Sequence, residues 1–407
     1  MPCSDPATLH HTMGFKHFLI LATLGFGSAH KDHHHAQASD DARADISLEE
    51  KWGTDWGFAG IQTFAHLPHV KCLVEDKYPF DIGVIGVPFD TSVSYRPGTR
   101  FGPRALRSGS SRQTPFRSFN HRAGINPYSS WARIVDCGDM NVSPFDNGLA
   151  LRQMTEGYAE LSKRSPTAPV HTGGKPKLVS LGGDHSIALP ALRALKSAYG
   201  RPINVLHFDA HLDTWHPAKY PSVWVPIPAP GEAFPQSFFT HGSFFWMAHS
   251  EGLIANGSVH GGIRTRLAGV DDADFRDDTE QGWFRILADD IDDIGVEGVI
   301  NTIMERLGTE NPVYLSVDID IIEPGLAPGT GTPEPGGWTA REFIRILRGI
   351  EGLNVVGADI VEVSPSYDDA GETTALLGAQ IAFEIITSMV KKGVEAAGAA
   401  TESHDEL

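Results

Sequence analysis

The chain has 407 residues, 41% of them hydrophobic, which is enough for one large core or two modest ones. Its formal net charge of -18 argues against a nucleic-acid partner, because neutralising phosphates takes an excess of Lys and Arg that this chain lacks. Acidity of this kind suits a cationic small molecule or metal ions, and equally a plain soluble surface.

The first segment reads as an address. Met13 to His17 is short and basic, and Phe18 to Ala29 is an apolar stretch of 12 residues ending in Gly27-Ser28-Ala29. That is too short to span a bilayer, and it has the small-residue end of a cleavable signal peptide over residues 1–29. Residues 30–48, with Lys31-Asp32-His33-His34-His35, are polar and read as a disordered pro-region. The acidic tail, 396–407, ends in His404-Asp405-Glu406-Leu407, a match to the retention signal of the endoplasmic reticulum. The two ends together predict the ER lumen, with a retention receptor as partner for His404 to Leu407; secretion is the alternative. No other run is long enough to cross a membrane. Cys3 would leave with the signal peptide. Cys72 and Cys137 would be free to pair in that compartment, but Cys137 lies in Ile134-Val135-Asp136-Cys137-Gly138-Asp139, a strand end, and reads as a buried free thiol rather than half of a bridge. Of two glycosylation sequons, Asn256-Gly257-Ser258 is the better, since Asn141-Val142-Ser143 is followed by Pro144.

Between residues 50 and 395 the chain reads as one globular domain. Apolar runs at 81–87, 133–136, 177–181, 203–206, 262–264, 284–287, 313–317 and 353–362 predict buried strands. Helical spacing falls between them: from Pro103, over 149–162, 187–199, 291–307 and 373–392, with a short helix within 241–255. This alternation predicts an α/β fold with a mostly parallel sheet. The exception is Trp215 to Phe239, proline-rich and without any period, which reads as a lid or pocket wall.

Ligands in such sheets bind beyond the C-terminal strand ends, and the chemistry-bearing residues cluster there. His185 follows the third run, Asp209-Ala210-His211-Leu212-Asp213 the fourth, Asp318-Ile319-Asp320 the seventh and Glu362 the last. Read as extended chain, side chains two apart share a direction, so Asp209, His211 and Asp213 would face one point, as would Asp318 and Asp320. That many acidic and imidazole groups repel one another unless cations sit among them. Two imidazoles and four carboxylates suit divalent ions such as Mn²⁺, and six ligands suit a pair of ions sharing carboxylates.

Three ordered stretches carry a family resemblance: Gly182-Gly183-Asp184-His185-Ser186, Asp209-Ala210-His211-Leu212-Asp213, and Ser316-Val317-Asp318-Ile319-Asp320 continuing to Gly331. They resemble the signatures of the ureohydrolases (arginase, agmatinase and related amidinohydrolases), and Gly86 to Asp90 with Gly98 to Pro103 look most like the agmatinase branch. The resemblance implies a three-layer α/β/α fold, two Mn²⁺ per subunit, and trimers or hexamers. It implies that His185 and Asp213 hold one ion, that His211 and Asp320 hold the other, and that Asp209 and Asp318 bridge. Glu362 matches the family's guanidinium-binding glutamate, and His241 a histidine able to protonate the leaving amine. The implied reaction converts a guanidino compound to urea and an amine, with agmatine, giving putrescine, as the first substrate to expect. 4-Guanidinobutyrate or another guanidino acid is the alternative, and would want a cation such as Lys219 at the pocket mouth. A non-catalytic guanidino-binding relative is the reading from another class; the complete ligand set argues against it. Asp184 reads as a local cap or a support to the ligands, and Arg100 as either a substrate contact or a loop-stabilising ion pair.

Overall fold

The computed structural model describes residues 47–53, 55–219, 228, 232 and 235–405. The expected signal peptide, most of the pro-region, most of the proline-rich loop and the last two residues of the retention signal lie outside these. In place of a pro-region running to 48, a short helix spans Leu48–Trp52. Ser47 caps it by accepting from the Glu50 N–H, and Glu50 reaches back to the Ser47 N–H.

From Asp55 the chain forms one compact unit around eight strands: β1 (Ile82–Val87), β2 (Ile134–Asp139), β3 (Lys177–Gly182), β4 (Asn204–Phe208), β5 (Val259–Ile263), β6 (Phe284–Leu287), β7 (Pro312–Asp318) and β8 (Asn354–Val361). They form a single sheet in the order β2-β1-β3-β8-β7-β4-β5-β6, and every pair is parallel. The central strands read as unbroken apolar runs because both faces are covered. On one face Leu106, Ile303, Ile346 and Ile385 pack down from helices Gly102–Gly109, Asp290–Leu307, Ala340–Gly349 and Thr373–Asp405. On the other, Met154, Leu189, Leu192 and Phe245 come from helices Asn147–Leu161, Ala188–Tyr199 and Phe244–Ser250. The result is the expected three-layer α/β/α sandwich.

The register sets the site. Leu181 of β3 lies opposite Ile360 of β8, Asp318 of β7 opposite Val361, and Phe208 of β4 opposite Val317. The C-terminal ends of these four neighbouring strands therefore form one edge.

Several expectations are corrected. Strand β5 begins at Val259 rather than Gly262, and the helix expected within 241–255 is only Phe244–Ser250. Helices Ala273–Glu280 and Ala340–Gly349 were not expected; the second carries a capping box, Thr339 with Glu342, that the sequence displays. Cys137 is not a free thiol: it is bridged to Cys72, Cα to Cα 5.0 Å. The reason is an extra pairing ahead of β1. Asp136 of β2 donates its N–H to Pro68 O and accepts from Val70 N–H, so Pro68 to Cys72 runs alongside β2 and brings the two sulfurs together. Helix Thr373–Ala399 is long and apolar enough in composition to cross a membrane, but 78% of its apolar window is buried within the unit, so it serves as a core helix.

Candidate metal centre and active site

The predicted ligands do converge, though not by strand alternation. Strand β4 stops at Phe208, and Asp213 has φ +54°, the left-handed region that L-residues rarely adopt. Asp320 sits in a 3₁₀ turn, Ile319–Ile321, capped by the Asp318 carboxylate accepting its N–H at 2.8 Å. Turns after the strands, rather than extended chain, aim these groups. Glu362, just past β8, is also left-handed (φ +60°). Such strain persists only where surrounding structure enforces it, and it gathers at functional sites.

His185 is held from behind. Its Nε2 lies 2.7 Å from Ser316 Oγ, which donates to Asp359 Oδ1 at 2.8 Å; Tyr314 and the Val317 N–H donate to the same carboxylate. Since the Ser316 hydrogen goes to Asp359, His185 Nε2 carries its own, and Nδ1 is left bare. That Nδ1 is buried, makes no hydrogen bond, and lies 3.1 Å from Asp209 Oδ2, 3.3 Å from Asp213 Oδ2 and 3.4 Å from Asp318 Oδ2. A lone pair facing three anionic oxygens is a cavity built for a cation. The titration tendencies agree. Burial and mutual repulsion push Asp213 and Asp318 well above the usual carboxylate range, and Asp320 upward with them. Burial works to lower His185 and His211, yet the carboxylates around them push both well above an ordinary histidine.

The second half of the cradle faces His211. Its Nδ1 lies 3.0 Å from Asp320 Oδ2, an oxygen that has no hydrogen bond, and 3.2 Å from Asp209 Oδ1. Asp209 thus turns one oxygen to His185 and the other to His211. The donor set, four carboxylates and two imidazoles without sulfur, fits hard or borderline divalent ions. His207, which the sequence reading passed over as part of an apolar run, also lies in this cluster. Both its nitrogens are already taken, by Asp209 and His260, so it is not an open ligand. Glu334 approaches His211 Nε2 at 3.8 Å and was likewise missed.

Glu362 Oε1 accepts from the His185 N–H (2.9 Å) and from His241 Nδ1 (3.1 Å), whereas Oε2 is buried with no partner. An unmet acidic oxygen beside the cradle is what a planar cationic donor would fill. The Ser94 N–H donates to His241 Nε2 at 3.0 Å. Burial works to lower the His241 pKa, but the hydrogen bond to Glu362 and the charges of Glu362, Asp213 and Asp184 push it up to about 9. Ser94 Oγ also lies 2.7 Å from Nε2, so the doubly protonated ring has an acceptor at each nitrogen, Glu362 at Nδ1 and the Ser94 hydroxyl at Nε2.

Three further expectations resolve. Asp184 is a cap and strut, accepting from the Ser186 and Ser92 N–H groups, both at 3.1 Å. Arg100 pairs with Asp90, whose other oxygen takes the Gly98 N–H, so it stabilises its loop. Lys219 is paired with Asp274 at 2.9 Å and Asp277 at 3.3 Å.

Comparison with known proteins defines the class. The arginase-family model matches residues 80–387, and the chain belongs to that family. It is a ureohydrolase, hydrolysing a guanidino group to urea. Among its relatives is the chain assigned as agmatinase 3 in Schizosaccharomyces pombe, 46% identical over 82% of this chain and 81% of that one. The guanidinopropionase of Pseudomonas aeruginosa is 37% identical over 84% of this chain and 95% of its own length. The solved proclavaminate amidinohydrolase of Streptomyces clavuligerus superposes with a TM-score of 0.69 at 35% identity, covering 83% of this chain and 100% of that one.

Proposed function

We propose that the chain is a two-manganese agmatinase that releases urea and putrescine from agmatine. The observation that carries the two-ion reading is the division of Asp209, one oxygen toward His185 and one toward His211. His185, Asp213, Asp209 and Asp318 would hold one ion, and His211, Asp320, Asp209 and Asp318 the other. Bound there, the ions would supply Lewis acidity that activates water for attack on the guanidinium carbon. The rest is the work of the chain's own residues. Glu362 Oε2 takes the guanidinium N–H groups and fixes the plane of the group. His241 holds the other Glu362 oxygen in place. Kept protonated by Glu362, it is placed to give a proton to the leaving amine. Two features favour agmatine over a guanidino acid: the net charge of -18, which steers cations, and the pairing of Lys219, which removes a counter-charge for a carboxylate. The similarity to a guanidinopropionase keeps the acid as the second reading. Purified chain loaded with Mn²⁺ is assayed for urea from agmatine, 4-guanidinobutyrate and arginine. Agmatine is expected to be hydrolysed best; urea from 4-guanidinobutyrate or arginine but none from agmatine overturns the assignment.

We place the enzyme in the ER lumen, retained by His404 to Leu407 and assembled as a trimer or hexamer. The Cys72–Cys137 bridge supports an oxidising compartment. Deleting His404 to Leu407 is expected to send the protein into the medium, and unchanged retention would count against the signal.

A further inference from the structure

Behind Asp209, away from the cradle, runs a second line of buried polar groups. His207 on β4 and His260 on β5 are partners in register, and both are fully buried. His207 Nε2 lies 2.9 Å from Asp209 Oδ2, and its Nδ1 lies 2.7 Å from His260 Nδ1. His260 Nε2 lies 3.0 Å from Asp278 Oδ1, which also accepts from Thr214 Oγ1 at 2.7 Å. Arg285 closes the line on the other oxygen of Asp278. Trp283 stacks on His260 with centroids 3.9 Å apart and shuts out water from that side.

The hydrogens in this line can be counted. Four ring nitrogens make three contacts, and the line ends in carboxylates that only accept. Filling all three contacts takes a hydrogen on His207 Nε2, one on His260 Nε2 and a third between the two Nδ1 atoms, so the two rings together carry one positive charge, held between the carboxylates of Asp209 and Asp278. Whichever ring holds that third hydrogen, His207 presents Nε2–H to Asp209. Without His260 the constraint is gone: a neutral His207 could carry its hydrogen on Nδ1 and turn a bare Nε2 toward the carboxylate, two acceptors in contact in a dry site.

We propose that His260 and Asp278 are positioning residues for the metal centre: they fix His207 as an Nε2–H donor, and His207 holds Asp209 with one oxygen toward each ligand histidine. Helix Ala273–Glu280, which carries Asp278, is thereby tied to the centre from outside it. The proposal rests on the reading of Asp209 as a shared ligand.

The test is Mn²⁺ binding to the full chain, followed by the electron paramagnetic resonance of free Mn²⁺. His260→Leu is expected to weaken binding roughly 10- to 100-fold, while His260→Gln, whose amide can donate to His207 Nδ1, stays within about fivefold of the parent. A Leu variant that binds within about threefold of the parent overturns the proposal, as does equal weakening by Leu and Gln, which would mean packing alone. A measurement on the unsubstituted chain stands whether or not the Leu variant folds: ¹⁵N spectra of histidine-labelled protein should show His207 protonated at Nε2, and a bare Nε2 there overturns the proposal. A parent chain that binds no Mn²⁺ overturns the metal reading itself, which a tight-binding Leu variant leaves standing.

Discussion

Two buried carboxylates at opposite ends of the same sheet behave in opposite ways. Asp81 lies at the N-terminal end of β1 and is fully satisfied: the Arg133 N–H and Thr167 hydroxyl donate to one oxygen, and the Ala168 N–H donates to the other. Asp320, at the C-terminal end, keeps Oδ2 without a hydrogen bond, as do His185 Nδ1 and Glu362 Oε2 nearby. Burial is the same at both ends. What differs is whether each polar atom has a partner within the chain. A satisfied buried carboxylate holds the fold together. An unsatisfied one is kept at a cost to stability, for something that arrives from outside.

The comparison can be broken most forcefully at the open end. Asp320→Asn is expected to lower kcat/KM for urea release at least about 10³-fold, and removing Mn²⁺ from the parent with a chelator should do the same until the ion is restored. In the metal-free state the variant should melt no lower than the parent, because it removes a carboxylate that burial and the charge of Asp209 disfavour; a clear drop in Tm would put Asp320 with Asp81. At the closed end, Asp81→Ala is expected to cost about 3 kcal/mol in denaturant unfolding, yet leave kcat/KM within about threefold for the fraction that folds. Activity lost without stability would erase the distinction.

Lys177 sharpens the contrast from within the closed end. Burial, with the charge of Lys392, lowers its pKa to about 8. Below pH 8 it is charged in both folded and unfolded chains, and the penalty for burying the charge is constant. Between pH 8 and 10.5 the folded chain sheds the proton first, the unfolded chain binds more, and this residue's contribution to stability rises with pH. Lys177→Met should raise stability at pH 7 by on the order of 1–3 kcal/mol and flatten that rise, as read from Tm across the window. The smallest effect is expected at Lys219→Met: with Lys219 committed to Asp274, KM for agmatine should move by less than about twofold.

Much of this architecture is readable in the residues. Each ligand stands directly after an apolar run, so the run fixes the strand and the strand fixes the edge. The edge alone was enough to gather His185, Asp209, Asp213, Asp318 and Asp320. What aims them was not readable, because the left-handed turns at Asp213 and Glu362 are imposed by packing and neither residue prefers that conformation. His207 and His260 stayed hidden for another reason: a histidine inside an apolar strand carries no sign of which strand lies beside it, and their pairing needs β4 next to β5. The Cys72–Cys137 bridge failed similarly, since it depends on Pro68 to Cys72 docking on β2. The helix Ala340–Gly349 was missed without that excuse, as Thr339 and Glu342 announce it.

The strand order has a consequence for how the enzyme comes into being. β8, the last strand in the chain, sits between β3 and β7 in the middle of the sheet. Until it inserts, β3 with His185 beyond it and β7 with Asp318 at its end belong to two separate half-sheets, and Glu362 is not yet in place. The cradle therefore cannot be completed until β8 joins the β3 side, with His185, to the β7 and β4 side, with the other ligands. It closes in one late, long-range event, of the kind that is slow because distant segments must meet. A chain cut short before Asn354 would keep every metal-ligating residue named here, yet His185 would have no strand to bring it beside Asp209, Asp213 and Asp318.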